Sequence, residues 1–354
     1  ANTLGMLSLS GPEDPNFDSY VMDEFAGGNY DAEEQIAAFY AMIVDKLGDD
    51  VTLIAGARFE STSINYTGQV FDEEEDELPS DIGSVSGGND YYNILPNLTL
   101  QWDVNDELNL NIAFTQSIAR PSYYDLVPYE YSNSDDQELA LGNPDLKSSL
   151  STNFDFMGEW YFGGLSLLSF GYFSKDIKDW IYQYTTNNYT YAGVDGYELS
   201  QLRNGEKASV SGFELGFQTK FLKNFTFMGN YTSTDSSTNN VEGRDDVPLT
   251  GQVDDMYNLS LAFENKKFFV RASMNYASEA LDELSGDAYE DRYYDEQTFV
   301  DVNANYKVND NLSIFAEGKN LTNQPLRYYQ GIQQRTMQIE YYNLSWTVGL
   351  KYDF

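Results

Sequence analysis

Asn343-Leu344-Ser345-Trp346-Thr347-Val348-Gly349-Leu350-Lys351-Tyr352-Asp353-Phe354 closes the chain and alternates without a break. Leu344, Trp346, Val348, Leu350, Tyr352 and Phe354 fall on one side of an extended strand, and the six residues between and before them fall on the other. Successive strand side chains point to opposite faces, so this segment is an apolar face backed by a polar one. A half-buried strand of a water-soluble domain usually runs about 5–6 residues. A tilted strand that crosses a bilayer needs about 9–11. The length of this segment points to the bilayer.

The same two-faced pattern recurs upstream. Leu53, Ala55, Ala57 and Phe59 alternate with Thr52, Ile54, Gly56 and Arg58; Leu108, Leu110, Ile112 and Phe114 with Asn109, Asn111, Ala113 and Thr115; Tyr257, Leu259, Leu261 and Phe263 with Asn258, Ser260 and Ala262. The second face is too consistently polar for the dry interior of a sandwich, in which inner faces are apolar. Tight polar turns at 47–50, 104–107, 162–164, 222–224, 264–267 and 308–311 alternate with long segments near 64–90, 120–147, 176–205, 233–250, 277–296 and 322–338. Connections of about 15–30 residues are uncommon in compact soluble domains. Short turns on one side and long loops on the other are the layout of an outer-membrane barrel, with turns in the periplasm and loops outside. About thirteen strands follow from residue 35, with a weak fourteenth at 4–10. The fold class is all-β, a transmembrane antiparallel up-and-down barrel. No 3.6-residue stripe holds over three turns, so helix is nearly absent.

Composition agrees. The chain has 354 residues, with 29 Tyr, 22 Phe and 27 Gly, yet its mean hydropathy is -0.50. A wall that is apolar outside and wet inside combines those features. Cysteine and histidine are both absent. Disulfides, Ser-His and Cys-His nucleophile pairs, and His-ligated zinc or haem are therefore excluded within this chain. Fifty-seven acidic against 20 basic residues give a formal charge of -37. Nucleic acid, whose affinity depends on Lys and Arg meeting phosphates, is not an expected partner. The longest apolar run, 36–44, is far short of the ~20 residues of a membrane helix. No signal peptide opens the sequence, so a mature chain or a fragment is expected.

Four segments, in order, resemble the C-terminal barrel of TonB-dependent outer-membrane receptors. They are Ser117-Ile118-Ala119-Arg120-Pro121-Ser122; Gly142-Asn143-Pro144-Asp145-Leu146-Lys147; Tyr172-Phe173-Ser174-Lys175-Asp176-Ile177-Lys178-Asp179-Trp180; and Gly318-Lys319-Asn320-Leu321-Thr322-Asn323 with Pro325 and Arg327, followed by the terminal aromatic strand. The region 123–145 is most similar to the subgroup associated with complex carbohydrates. The resemblance implies a barrel of roughly twenty-two strands. Residues 1–354 then read as the C-terminal part of one barrel domain. The N-terminal plug, the first strands and the TonB box, which engages the energy-transducing complex, are expected outside it. The implied location is the bacterial outer membrane, with lipid and lipopolysaccharide around the wall. The implied function is energy-coupled uptake of a scarce, bulky nutrient such as an oligosaccharide or an iron-siderophore, with no catalysis. Read from the residues alone, the motifs are mostly loop-edge punctuation, because a residue before Pro avoids the α region.

Ligand capture would use loop aromatics, whose flat rings stack on sugar or siderophore rings while a Tyr hydroxyl adds a hydrogen bond. The candidates are Tyr123, Tyr124, Tyr129, Tyr131, Trp180, Tyr182, Tyr328 and Tyr329, with Tyr184, Tyr189 and Tyr191 in the same loops. The plainer reading is that these rings pack against one another. Trp102, Trp160 and Trp346 suit interfacial girdles. Arg58, Arg271, Glu60, Glu159, Glu214 and Glu317 fall on the inward face, as a cross-strand charge ladder or as contacts to a plug. The acidic run 72–77, Asp135-Asp136 and Asp245-Asp246 are solvated loop tips by default and Ca2+ ligands as the sharper reading; calcium needs converging, spaced carboxylates. A passive porin is the main alternative. A glycosidase-type carboxylate pair and a soluble β-sandwich adhesin are weaker ones.

Overall fold

The computed structural model describes residues 29–70, 83–133 and 136–354. Thirteen strands form one antiparallel sheet. They are β1 (Tyr30–Lys46), β2 (Val51–Val70), β3 (Gly83–Asn105), β4 (Leu108–Ala119), β7 (Ser149–Phe162), β8 (Ser166–Lys178), β11 (Lys207–Phe221), β12 (Phe225–Asn239), β13 (Asp255–Glu264), β14 (Phe268–Ala277), β17 (Gln297–Lys307), β18 (Leu312–Lys319) and β21 (Ser345–Tyr352). Each pairs with the next in that order. The first expected strand, 35–46, starts earlier, at Tyr30, and the weak strand expected at 4–10 lies outside the described residues.

Register shows why the period-two pattern makes a wall. Leu53, Leu100, Ile112, Phe156, Tyr172 and Phe213 lie opposite one another across six strands, forming one continuous apolar row. Three residues along, the opposite face carries Gly56, Asn97, Thr115, Asn153 and Lys175 in register. Asn153 Nδ2 donates to Thr115 Oγ1 at 3.2 Å, and Asn258 Nδ2 to Asn230 Oδ1 at 2.9 Å, so the polar face is braced across strands. The apolar rows face no second layer: Phe39 is 68% exposed, Tyr92 70% and Val348 72%. Contiguous apolar surface of this extent is not held in water; it meets lipid. Trp102, Trp160 and Trp346 lie on this outer face, all exposed.

The expected charge ladder does not form. Of the six inward charges, only Arg58 and Glu60 pair with each other (2.5 Å), and they sit on the same strand. The register explains this: Asn303 lies between Arg271 and Glu317, keeping them two strands apart.

At each end of the sheet one ladder is open among the described residues. β1 pairs only with β2, and β21 only with β18. Backbone groups left unpaired in hydrocarbon cost several kcal/mol each, which is why membrane sheets close.

The long connections carry order of their own. A second, eight-stranded sheet runs in the order β20-β19-β16-β15-β9-β10-β6-β5. Its members are β5 (Glu130–Asn133), β6 (Glu138–Leu141), β9 (Ile181–Tyr191), β10 (Val194–Asn204), β15 (Ala280–Ser285), β16 (Arg292–Tyr294), β19 (Leu326–Gln330) and β20 (Thr336–Glu340). One helical turn, α1 (Tyr123–Leu126), precedes them, capped by Ser122. Four connections thus knit into a crown over the barrel mouth. Two of its pairings, β10 with β6 and β15 with β9, are parallel.

Candidate functional site at the barrel mouth

The crown is built around three small apolar cores. Trp180, Tyr182, Ala208, Val241, Val247, Leu281 and Leu284 form the largest. Ile64 and Tyr66 of β2 pack against Leu126, Val127 and Leu146 in the second. Leu139, Tyr197 and Leu199 form the third. Glu60, Thr62, Ile64 and Tyr66 alternate with Phe59, whose ring stacks outward on Phe39 and Tyr92 (5.2 and 6.1 Å). The second core therefore lies on the lumen side, and the connection after β4 folds inward across the mouth.

The four sequence motifs fasten this fold. Arg120 Nη2 donates to Glu60 Oε2 (2.5 Å) and Thr62 Oγ1 (3.2 Å), tying the end of β4 to β2. Gly142 is required by contact: a Cβ there would sit 1.8 Å from the Val127 carbonyl oxygen. Asn143 Nδ2 donates to Leu202 O (2.9 Å), and its Oδ1 accepts from Asp145 N (3.1 Å). Lys147 N donates to Asn204 Oδ1 (2.8 Å), and Asn204 Nδ2 returns a bond to Lys147 O (3.0 Å). In the fourth motif, Asn320 N donates to Asp301 Oδ1, and Asn320 Oδ1 accepts from Gln324 N, both at 2.8 Å. A side-chain amide that replaces a missing backbone partner is the usual work of Asn at a strand-to-loop edge.

Four of the crown's arginines are held by carboxylates, while Arg335 donates to the Tyr289 carbonyl oxygen. Arg244 makes two bonds to Asp291 (3.2 and 2.9 Å), which is 3% exposed and also accepts from Ser285 N (3.0 Å). Arg203 meets Glu242 (2.8 Å), Arg292 meets Asp282 and Glu283 (2.5 and 2.7 Å), and Arg327 meets Asp295 (2.8 Å). Glu198 is pushed above the usual carboxylate range by burial and by the nearby Glu283 and Glu138.

The candidate aromatics separate into groups along the crown sheet. Tyr124 and Tyr129 stack at 4.2 Å, with Tyr30 5.9 Å from Tyr124. Burial, and then the neighbouring Tyr124, pushes the Tyr129 hydroxyl up to about 12. Trp180 and Tyr182 lie 4.8 Å apart inside the largest core, 4% and 5% exposed. The Tyr182 hydroxyl donates to Glu242 Oε1 at 2.7 Å, and burial and that bond raise its pKa. Tyr329 is buried, stacked on Tyr293 at 5.3 Å, and donates to Glu279 Oε2 at 2.6 Å. Tyr328 meets Tyr294 at 4.8 Å, with the Arg292 guanidinium 5.6 Å from its ring. Tyr184 carries Arg203 at 3.8 Å, and Tyr191 packs on Tyr197. Tyr123, Tyr124, Tyr131 and Tyr189 keep exposed surface. The structure thus brings together Tyr124 with Tyr129 and Trp180 with Tyr182, while the neighbours Tyr328 and Tyr329 pack on different partners. It leaves these groups apart, with Tyr131 on β5, the edge strand at one end of the crown sheet, and Tyr328 on β19, next to the edge at the other.

Among the described residues, no three acidic side chains converge on a cation position. Asp245 accepts from Asn240 N (3.0 Å), Asp246 from Ser237 Oγ (3.1 Å) and Asp136 from Asn133 Nδ2 (2.9 Å), so each holds a turn. The run 72–77 and Asp135 lie outside the described residues. In the connection at 240–254 the sequence drew attention to Asp245-Asp246, but not to Val241, Val247 and Leu249, which complete the largest core. Its signal was the aliphatic residues Val241, Val247, Leu249 and Val253 inside an acidic, otherwise polar stretch.

Comparison with known proteins fits this geometry. No curated protein gives a match. Among solved structures, the ferric-catecholate import receptor Fiu from K12 E. coli superposes with a TM-score of 0.67 at 16% identity, covering 92% of this chain and 45% of that one. The copper transporter OprC gives 0.67 at 14%, covering 92% and 48%. The ferric yersiniabactin uptake receptor FyuA from Yersinia pestis gives 0.62 at 14%, covering 91% and 45%. The chain spans about half the length of these proteins. The family model described as TonB dependent receptor-like, beta-barrel, matches residues 5–321. With a lipid-facing strand wall and this match over most of its length, the chain belongs to the TonB-dependent receptor β-barrel family of the bacterial outer membrane.

Proposed function

We propose that this chain is the C-terminal wall and outer crown of an energy-coupled importer for a scarce, bulky nutrient, an oligosaccharide or an iron-siderophore. The observation that carries the reading is the crown: four long connections fold into one sheet that packs onto the lumen side of β2. A mouth roofed by a fixed, packed structure suits selective capture rather than free diffusion, and this favours import over a passive porin. The open ladders of β1 and β21 are completed by other strands of the whole protein, roughly nine if the barrel has about twenty-two. A plug fills the lumen, and the TonB complex drives release. Lipid and lipopolysaccharide surround the apolar rows. Tyr123, Tyr124, Tyr131 and Tyr189, the candidates with exposed rings, are the first ligand contacts.

The test is uptake by cells carrying the intact protein. High-affinity uptake of the nutrient is expected to vanish when the gene is deleted, and equally when the energy-transducing complex is inactivated. Uptake that survives inactivation of the complex would make the protein a porin.

A further inference from the structure

We infer that the crown holds a subsite for an uncharged polyhydroxyl ligand, in a cavity of about 470 Å3 where the tip of the 240–254 connection hangs over the outer ends of β4, β7 and β8. This rests on the importer reading above and names its substrate class. The cavity falls within the ~300–1,000 Å3 typical of small-ligand sites.

Its wall is chemically unusual for this chain. Ser117, Ser149, Ser151 and Gln252 supply polar groups, Trp180 and Leu249 apolar surface, and no ionisable side chain lines it. The chain carries a formal charge of -37, and the segment 278–296 of the same crown has eight acidic residues and one basic. A second concavity lower on the inner wall, about 730 Å3, is lined by Arg271, Asp301, Glu317 and Lys319. An uncharged lining is therefore a local property and not that of the wall in general.

The polar groups present both hydrogen-bonding senses. Ser149 Oγ donates to Asp179 O (3.0 Å) and Ser151 Oγ to Asn153 Oδ1 (2.7 Å), leaving both oxygens as acceptors. Ser117 Oγ accepts from Asn153 Nδ2 (3.3 Å), leaving its hydrogen to donate. Gln252 Nε2 donates to Val253 O (2.8 Å), leaving its carbonyl oxygen as an acceptor. Trp180 is 4% exposed and its Nε1 edge packs against Gly205, away from the cavity, so the ring serves here only as apolar wall. Hydroxyl groups, which donate and accept at once, match this set. An anionic ligand would lose hydration here without gaining a cationic partner.

The test is calorimetric titration of the full-length protein in detergent with neutral gluco-, xylo- and chito-oligosaccharides, with a uronic-acid oligomer, and with a ferric tris-catecholate. Expected is saturable binding of at least one neutral oligomer, about a hundredfold tighter than either anion. Ser151→Phe, which fills the cavity, is expected to abolish that binding. Gln252→Ala, a loop change that leaves the wall intact, is expected to weaken it about tenfold. Binding of an anion as tight as that of any neutral oligomer, silence from the whole neutral set at millimolar concentration, or neutral binding indifferent to both variants would each overturn the inference. Equilibrium binding needs no energy coupling. A protein that prefers the anion can still be an importer, and one that binds neutral oligomers can still fail the uptake test.

Discussion

Wall and crown are both sheets, built on opposite rules. In the wall each strand pairs antiparallel with the next wall strand along the chain, through tight turns on one side and long connections on the other, and apolar side chains point away from the centre. In the crown, strands from distant parts of the chain pair, some in parallel, and apolar side chains such as Leu139, Leu284 and Val241 are buried within. One solvent, lipid, orders the first; the other is an ordinary water-soluble fold that happens to be anchored at its ends. The two should therefore fail separately.

The largest effect is expected from Leu284→Asp, which puts a charge into the fully covered core of the crown. A loss of about 4–5 kcal/mol or more is the scale for an unpaired buried charge. Protease should cut the connections 179–206 and 278–296 rapidly, while the barrel keeps its resistance to unfolding in detergent. Loss of the barrel as well would mean that the two sheets are one cooperative unit.

Phe156→Arg tests the reverse. Phe156 sits mid-strand in the apolar row, where a lipid-facing Arg costs about 2–4 kcal/mol. Urea titration of protein folded into vesicles should show that loss, and amide exchange in the crown should stay unchanged. An effect near zero would place this row away from the bilayer.

Gly142→Ala is expected to cost about 1–3 kcal/mol locally, because the new methyl meets a backbone oxygen that cannot move aside. Amide exchange should speed up between 123 and 146 and nowhere in the wall.

The smallest effect is alkaline. The Tyr129 hydroxyl titrates near 10 when unfolded and at about 12 when folded. The folded state holds its proton longer, so this contribution is complete below pH 10 and is lost as pH rises towards about 12. Tyrosinate absorbance together with protease sensitivity should show the crown loosening in that window before the wall. Coincident loss would join the two.

The wall was legible in the chain because its information is local. Leu108, Leu110, Ile112 and Phe114 repeat every second residue after a tight polar turn, and that suffices to set strand, face and neighbour. Crown partners carry no such marker. Glu198–Gln201 pairs with Glu138–Leu141 across a separation of 60 residues, a match visible only once both strands are in place. The aromatic candidates suffered for the same reason. Nothing near Trp180 in sequence shows that Leu281 and Leu284, a hundred residues on, will cover it. Tyr123 and Tyr131 face outward from segments of much the same composition.

The parallel pairs of the crown also set a timetable. A parallel ladder cannot be started by a tight turn, so β10 with β6 and β15 with β9 must wait until their anchoring strands are already neighbours. Closing such distant contacts is slow, and its entropy cost falls mainly on whichever element forms last. The membrane-embedded part therefore matures first and the outer structure second. For an interval after insertion the protein is an unroofed cylinder, and the rate of roofing decides how long it stays one.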